Sequence, residues 1–146
     1  MLTLTYQIDI DAEPARIWQV LTELELYRKW ATAFSPQSQF HGEWREGEHI
    51  AFFDPGLGGT RAVIDKIDVD RAIQIHHIAV FNPEHIIDID SDSARKWIGS
   101  SESYEIIRQG DRVVLEVTIV THPDFTTMFN DGWEKALPKI KALSEE

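Results

Sequence analysis

Two adjacent histidines, His76 and His77, are the residues of this chain best suited to acid–base chemistry. Imidazole titrates near neutral pH, so a histidine that faces a cavity can exchange a proton with a bound carbonyl compound. Consecutive residues of a strand point to opposite faces of a sheet, so only one of the two can face the interior. The surrounding apolar alternation does not decide which one; His76 is taken as the inward residue. A histidine hydrogen-bonded within the sheet is the simpler alternative.

Aromatic residues recur near the ends of the predicted helices and strands, where they could line a cavity for an apolar ligand. Their rings supply apolar area, while indole N–H groups and a tyrosine hydroxyl add polar contacts. Ordinary core packing is the alternative use of the same residues. The predicted ligand-binding residues are Trp30, Phe34, Trp44, Phe52, His76, Trp97, Tyr104, Met128, Phe129 and Trp133.

The acidic run Asp88–Asp92 imitates the start of a calcium-binding EF-hand loop. Such a loop needs Gly at its sixth position and Glu at its twelfth, where this chain has Ser93 and Gly99. We therefore predict a solvated acidic loop and no metal site. The sequence also has no nucleophile elbow, Walker loop or dinucleotide fingerprint, so no cofactor is predicted and no catalytic residue is assigned.

The net charge of the chain limits the classes of partner that it can bind. The chain has 146 residues with a formal net charge of −11 and no cysteine. A negative field repels nucleic acid and anionic lipid, and the absence of cysteine excludes disulfides and thiolate catalysis. The sequence shows neither a signal-peptide pattern nor a long apolar run, so we expect a cytoplasmic location and no membrane insertion.

The elements that must position these side chains begin with a strand. Residues 2–10 alternate between apolar and polar, which is typical of a strand with one buried face. Glu13-Pro14 then starts a helical region that ends at Ser35-Pro36. Turn residues separate the strands that follow, which are predicted at 37–44, 49–53, 60–68, 72–81, 103–108 and 112–121.

The last segment is helical, because apolar residues from Phe125 to Leu143 recur every three or four positions. This order of elements predicts an α+β fold in a single domain, residues 1–146. A curved antiparallel sheet of about six to seven strands would wrap around the long C-terminal helix, with two short helices after the first strand. The segment 82–101 is longer than a hairpin needs, and long connections are often functional.

Particular residues resemble the helix-grip proteins of the START/SRPBCC (pollen-allergen-like) superfamily. Residues 13–22 with Trp30 resemble its first helical region, and residues 132–143 resemble its closing helix. Residues 47–50 and 67–73 are similar to its strand and inter-strand turn motifs. The branch most similar to this chain is the one related to activators of the heat-shock-protein ATPase.

Three functions are compatible with these features, since one fold supports unrelated activities. The leading hypothesis is a domain that binds a small apolar or amphipathic molecule between the sheet and the last helix. The resemblance also implies two alternatives: an enzyme of the cyclase or dehydratase kind using a pocket His, Tyr or Glu, and a co-chaperone-like domain that contacts a protein partner or forms a homodimer.

Overall fold

The computed structural model describes residues 1–146 and contains one antiparallel sheet of eight strands. The strand order is β1-β8-β7-β5-β4-β3-β2, and the short β6 pairs with the end of β5. The strands are β1 (Leu2–Ile10), β2 (Gln39–His41), β3 (His49–Asp54), β4 (Gly58–Asp68), β5 (Ala72–Phe81), β6 (Ile87–Asp88), β7 (Ser101–Gln109) and β8 (Arg112–Thr121).

Four helices accompany the sheet. Pro14 opens the first of them, at a position where its missing N–H leaves no bond unmade. A short 3-10 turn, Pro123–Phe125, leads into the last helix, which contains Pro138. The helices are α1 (Pro14–Thr22), α2 (Leu24–Ala31), α3 (Asp92–Trp97) and α4 (Thr126–Ser144). None of them is long and apolar enough to cross a lipid bilayer.

The main core lies between the sheet and the helices. Trp133, Ala136 and Ile140 of α4 are fully buried in one apolar cluster with Ile17 of α1 and Leu115 of β8. Their burial follows the three-and-four spacing of the sequence, because that spacing places one helix face against the sheet. The α+β arrangement with a long C-terminal helix and two short helices after the first strand is confirmed.

Two segments differ from the sequence-based boundaries. The strand predicted over 37–44 is limited to Gln39–His41, because Gly42 adopts a φ of +135° and turns the chain away from the sheet. The ambiguous segment 82–101 contains β6 and the short helix α3. Ser91 caps α3 by accepting the Ala94 N–H at 3.1 Å, as serine at a helix N-terminus commonly does.

The pairing of β4 with β5 is interrupted by two irregularities, at Arg61/Ala62 and at Ile64/Lys66. Asp65 lies in the second, where the β4 register slips by one residue. Along β5 the buried side chains alternate through Ile75, His77 and Ala79. This alternation directs His77 toward the helices and His76 toward the opposite face of the sheet.

Candidate functional site

A cavity of about 250 Å³ lies between the sheet, α2 and the first half of α4. Nineteen residues line it, and eleven of them are hydrophobic. Aromatic rings form most of its wall; Trp97 stacks on Phe129 at a centroid distance of 5.7 Å and an interplanar angle of 11°. Such an apolar wall, with a small number of polar groups, is typical of sites for small organic molecules.

Eight of the ten residues predicted for the ligand site line this cavity. Helices α2 and α4, the 82–101 segment and strands β3 and β7 bring them together from distant parts of the chain. The eight are Trp30, Phe34, Phe52, Trp97, Tyr104, Met128, Phe129 and Trp133. Their role in ligand binding remains a prediction.

The assignment of His76 to the cavity must be corrected. Its Nδ1 atom lies 2.7 Å from Oδ2 of Asp65, and its side chain is 39% exposed on the outer face of the sheet. The side chain of His77 is only 1% exposed and lines the cavity. The sequence did not decide between them because apolar residues flank both histidines. Ile75 lies on the same face of the strand as His77, and Ile78 lies on the same face as His76.

Trp44 also lies outside the main cavity. It packs against Phe40 and Phe52, and it borders a much smaller void beside Tyr27 and Tyr104. Its indole N–H is buried and has no hydrogen-bond partner. Trp44 therefore supports the wall of the cavity from behind.

A chain of short hydrogen bonds crosses the polar end of the cavity. His77 Nε2 lies 2.6 Å from Oε2 of Glu102, and the Tyr104 hydroxyl donates to Oε1 of the same carboxylate at 2.8 Å. Glu102 and Tyr104 are two residues apart on β7, so both side chains point to the same face. The register between β5 and β7 places that face beside His77.

Thr60 extends this chain on the other side of His77. Its Oγ1 accepts the indole N–H of Trp97 at 2.8 Å and lies 2.8 Å from His77 Nδ1. The Thr60 hydroxyl also donates to the Ala79 carbonyl oxygen at 3.1 Å. Both ring nitrogens of His77 are therefore engaged, Nδ1 with Thr60 and Nε2 with the Glu102 carboxylate.

The pKa values of the cluster reflect burial and charge. Burial acts to raise the pKa of Glu102, but the hydrogen bond and charge of His77, together with the Tyr104 hydroxyl bond, lower it to a net value below the usual range. Burial, and next the charge of Glu102, raises the pKa of Tyr104 well above 10.0. The same two causes raise the pKa of Tyr27. Both phenols are therefore protonated at neutral pH.

The mouth of the cavity has an apolar rim. Phe34, Leu57 and Met128 line the cavity and remain partly exposed, Leu57 at 69%. Asp54 lines the same region, but its carboxylate accepts the backbone N–H groups of Gly56 and Gln37. These bonds lower the pKa of Asp54, so it stays ionised while it holds the β3–β4 turn.

Eleven lining residues lie outside the ten-residue prediction, and four of them, His77, Glu102, Tyr27 and Thr60, bear on the chemistry of the site. His77 was the alternative to His76 on the same strand, and Glu102 was not among the ten residues. Tyr27 reads as one more residue of a helical stripe, and Thr60 as an ordinary strand residue. No sequence signal marks Thr60 or Tyr27, because their position depends on strand register and helix packing.

The acidic segment near α3 has a structural role. Asp88 accepts the backbone N–H groups of Asp90 and Ser91 and the hydroxyl of Ser91. These bonds shape the turn that leads into α3 and use the carboxylate oxygens of Asp88. No group of three or more His, Asp or Glu side chains converges in a metal-binding arrangement.

Solved structures share this architecture at low sequence identity. The solution structure of the Aha1 dimer from Colwellia psychrerythraea has a TM-score of 0.74 and 20% identity, covering 99% of this chain and 97% of that one. Crystal structures of CalU16 from Micromonospora echinospora (TM-score 0.67, 18% identity, 97% and 74% covered) and protein Ms6760 from Mycobacterium smegmatis (0.70, 17%, 97% and 90%) are also similar.

No protein-family model and no curated protein sequence matches the chain. At these identities, the structural likeness establishes the fold and leaves the activity to be argued from the site. The structural match to the Aha1 dimer structure extends over 99% of this chain. The chain therefore has the helix-grip fold.

Proposed function

We propose that this protein binds a small, largely apolar molecule in the cavity between the sheet and α4. The observation that carries the proposal is an aromatic-lined cavity of about 250 Å³ with one compact polar cluster, His77, Glu102 and Tyr104. Apolar walls supply the affinity of such sites, and a few polar groups orient the ligand.

The volume sets the size of the ligand. A dry protein cavity of about 150 Å³ accommodates benzene. A cavity of 250 Å³ is larger by about one further ring, so a two-ring molecule of naphthalene or indole size fits it. A long fatty acyl chain or a sterol exceeds this volume.

Helix α3 is the proposed lid. Trp97 at its end covers His77 at a ring-centroid distance of 4.7 Å, and its indole N–H bonds to Thr60. Phe125 packs edge-on against the same indole at 5.1 Å. A ligand that enters from this side must displace Trp97, whereas the rim at Phe34 and Met128 offers a second entrance.

Titration with a naphthalene-sized fluorescent probe tests the proposal. Met128→Trp replaces a flexible thioether by a larger, rigid ring at the rim and should reduce probe affinity about fivefold or more, with the fold unchanged in circular dichroism. Ile87→Trp is the matched control, since Ile87 is 53% exposed and does not line the cavity. Native mass spectrometry of the purified protein checks for a retained molecule. Absence of any saturable probe binding would refute the proposal.

Acid–base catalysis is the second candidate, because His77, Glu102 and Tyr104 converge inside one cavity. A bound methyl ketone would lose a proton from its methyl carbon to this cluster and regain one from it, with no other reactant. In deuterated water this exchange replaces methyl protons with deuterons, which proton NMR measures directly. Exchange no faster than in buffer, or equal in the wild type and Glu102→Gln, would eliminate this candidate.

A protein contact is the third candidate. Ile86, Ile87 and Ile89 are each more than half exposed within one four-residue stretch, and exposed apolar patches often mark interaction sites. A second copy of the chain is the simplest partner. Light scattering should then report a dimer that Ile86→Glu and Ile89→Glu together convert to a monomer; a monomeric wild type would rule out the homodimer.

A further inference from the structure

Almost all polar groups at the inner end of the cavity are hydrogen-bonded to one another. Both carboxylate oxygens of Glu102 accept hydrogen bonds, from His77 and Tyr104. Both ring nitrogens of His77 are engaged, and Thr60 is bonded to Trp97, His77 and Ala79. A ligand that bonded to any of these groups would have to break an existing short bond.

Tyr27 is the exception. Its ring packs against Trp30, Phe40 and Phe52, and the residue lines both the main cavity and the small void behind it. Its hydroxyl makes no hydrogen bond within the chain, and it is not completely buried. The indole N–H groups of Trp44 and Trp133 also have no partner, but both are completely buried. The Tyr27 hydroxyl is thus unpaired and not sealed, and the residue lines the cavity.

The protonation state of Tyr27 makes it a donor. Burial and the negative charge of Glu102 keep the phenol protonated at neutral pH. An unpaired hydroxyl in an apolar site gains a full hydrogen bond when a ligand presents an oxygen, since little water competes for it. The polar atom of a matching ligand is therefore an acceptor.

The charges around the cavity define the second property of the ligand. No Lys or Arg is among the nineteen lining residues, while Asp54 and Glu102 both are. The imidazole of His77 is already paired with Glu102 at 2.6 Å. A ligand carboxylate would lose its hydration without gaining a free positive partner, which is strongly unfavourable.

We propose that the cavity selects an uncharged two-ring molecule with one oxygen acceptor, such as a carbonyl, and that the Tyr27 hydroxyl donates to this oxygen. The inference rests on the ligand-binding function proposed above and adds the chemical class of the ligand. It also assigns to Tyr27 the discrimination between polar and purely apolar molecules of the same shape.

Three probes that share the naphthalene ring test this selectivity in NMR titrations at neutral pH. 2-Acetylnaphthalene carries the acceptor, 2-ethylnaphthalene lacks it, and 2-naphthoate replaces the methyl group of the ketone by a charged oxygen. We expect the ketone to bind about three- to tenfold more tightly than the ethyl compound, the effect of one hydrogen bond. It should bind at least about tenfold more tightly than the carboxylate.

The variant Tyr27→Phe removes the donor and keeps the ring. It should abolish the preference for the ketone over the ethyl compound while changing affinity for the ethyl compound less than about twofold. Tyr6→Phe is the matched control, because the Tyr6 hydroxyl donates to Asn130 and the residue does not line the cavity. The control should retain the wild-type preference.

The outcomes distinguish a wrong ligand class from a failure of ligand binding itself. Equal or tighter binding of 2-naphthoate by the wild type overturns the proposed ligand class, and this comparison does not depend on the folding of any variant. An unchanged ketone preference in folded Tyr27→Phe overturns the role of Tyr27. If none of the three probes binds, the ligand-binding function fails, and this inference fails with it.

Discussion

His77 and Glu102, 25 positions apart in the sequence, meet through a 2.6 Å contact between Nε2 and Oε2 inside the sheet. Their side chains are 1% and 13% exposed. Neither residue could be buried alone without a large penalty, because each would carry an unpaired polar or charged group. Their pairing fixes the relative position of β5 and β7 at the polar end of the cavity.

Removal of the carboxylate tests this dependence. We expect Glu102→Ala to lower the free energy of unfolding by about 3 kcal/mol, since His77 loses its partner in a buried site. Glu105→Ala on the same strand changes an exposed carboxylate and should stay within about 0.5 kcal/mol of the wild type. Urea denaturation measures both, and similar losses in the two variants would show that the pair is not stabilising.

Acid should destabilise the protein partly through Glu102. The pKa of Glu102 in the folded protein lies below the usual 4.5. Its contribution to the free energy of unfolding is therefore present above pH 4.5 and is lost as the pH falls toward the pKa of the folded state. Glu102→Gln cannot titrate, so its free energy of unfolding should fall less steeply below about pH 4.5. Denaturation at a series of acidic pH values measures the two slopes. Parallel slopes would contradict a lowered pKa at Glu102.

Alkali should act through the two cavity tyrosines. The pKa values of Tyr27 and Tyr104 in the folded protein exceed 10.0. Their contribution to the free energy of unfolding is therefore present below that pH and is lost as the pH rises above it. The folded protein at about pH 11 should show tyrosinate absorbance from at most one of its three tyrosines. Absorbance from two or more, with circular dichroism still native, would refute the burial of these hydroxyls.

Trp97 should hold α3 closed. Trp97→Phe removes the indole N–H that bonds to Thr60 at 2.8 Å and should cost about 1 kcal/mol. Amide hydrogen exchange of residues 92–97 should accelerate more than exchange in α4. Trp18→Phe on α1 is a control of the same chemical type. Unchanged exchange at α3 would mean that apolar packing alone retains the lid.

Gly132 leaves room for the ring at the cavity mouth. A Cβ atom at this position would lie 2.2 Å from Cε1 of Phe34, so Gly132→Ala must displace that ring from Trp133. The helix gains about 1 kcal/mol in intrinsic propensity, while probe affinity should fall about fivefold. Lys135→Ala on the same helix provides the control for both measurements. Unaltered probe affinity in Gly132→Ala would exclude Phe34 from the binding site.

Most of the fold was predictable because it depends on local patterns. The two-residue period of residues 2–10 and the three-and-four spacing after Phe125 reflect burial of a single face, and both elements were found where predicted. The hairpin around Gly110 was also predictable, because a glycine between two strand patterns marks a tight turn. In the structure this glycine adopts a φ of +64°. The short α3 was missed, because six residues with one cap form a helix only when Ala94 and Trp97 pack on the body of the protein.

The site was predictable in its aromatic part and not in its polar part. Large rings at element ends have few places to be buried, and eight of the ten predicted residues line the cavity. The choice between His76 and His77 depends on which face of β5 meets the helices. A shift of one residue exchanges those faces, and nothing within a single strand fixes it.

The sequence by itself determined the class of each long element, their order and the apolar character of the interior, because these follow from periods of two and of three to four residues. Tertiary structure alone decided that His77, Glu102, Tyr104 and Thr60 form one hydrogen-bonded chain and that the Tyr27 hydroxyl is left unpaired beside it. These relationships join residues from four separate elements. Strand register and helix packing set them, and both are properties of the assembled sheet rather than of any local segment.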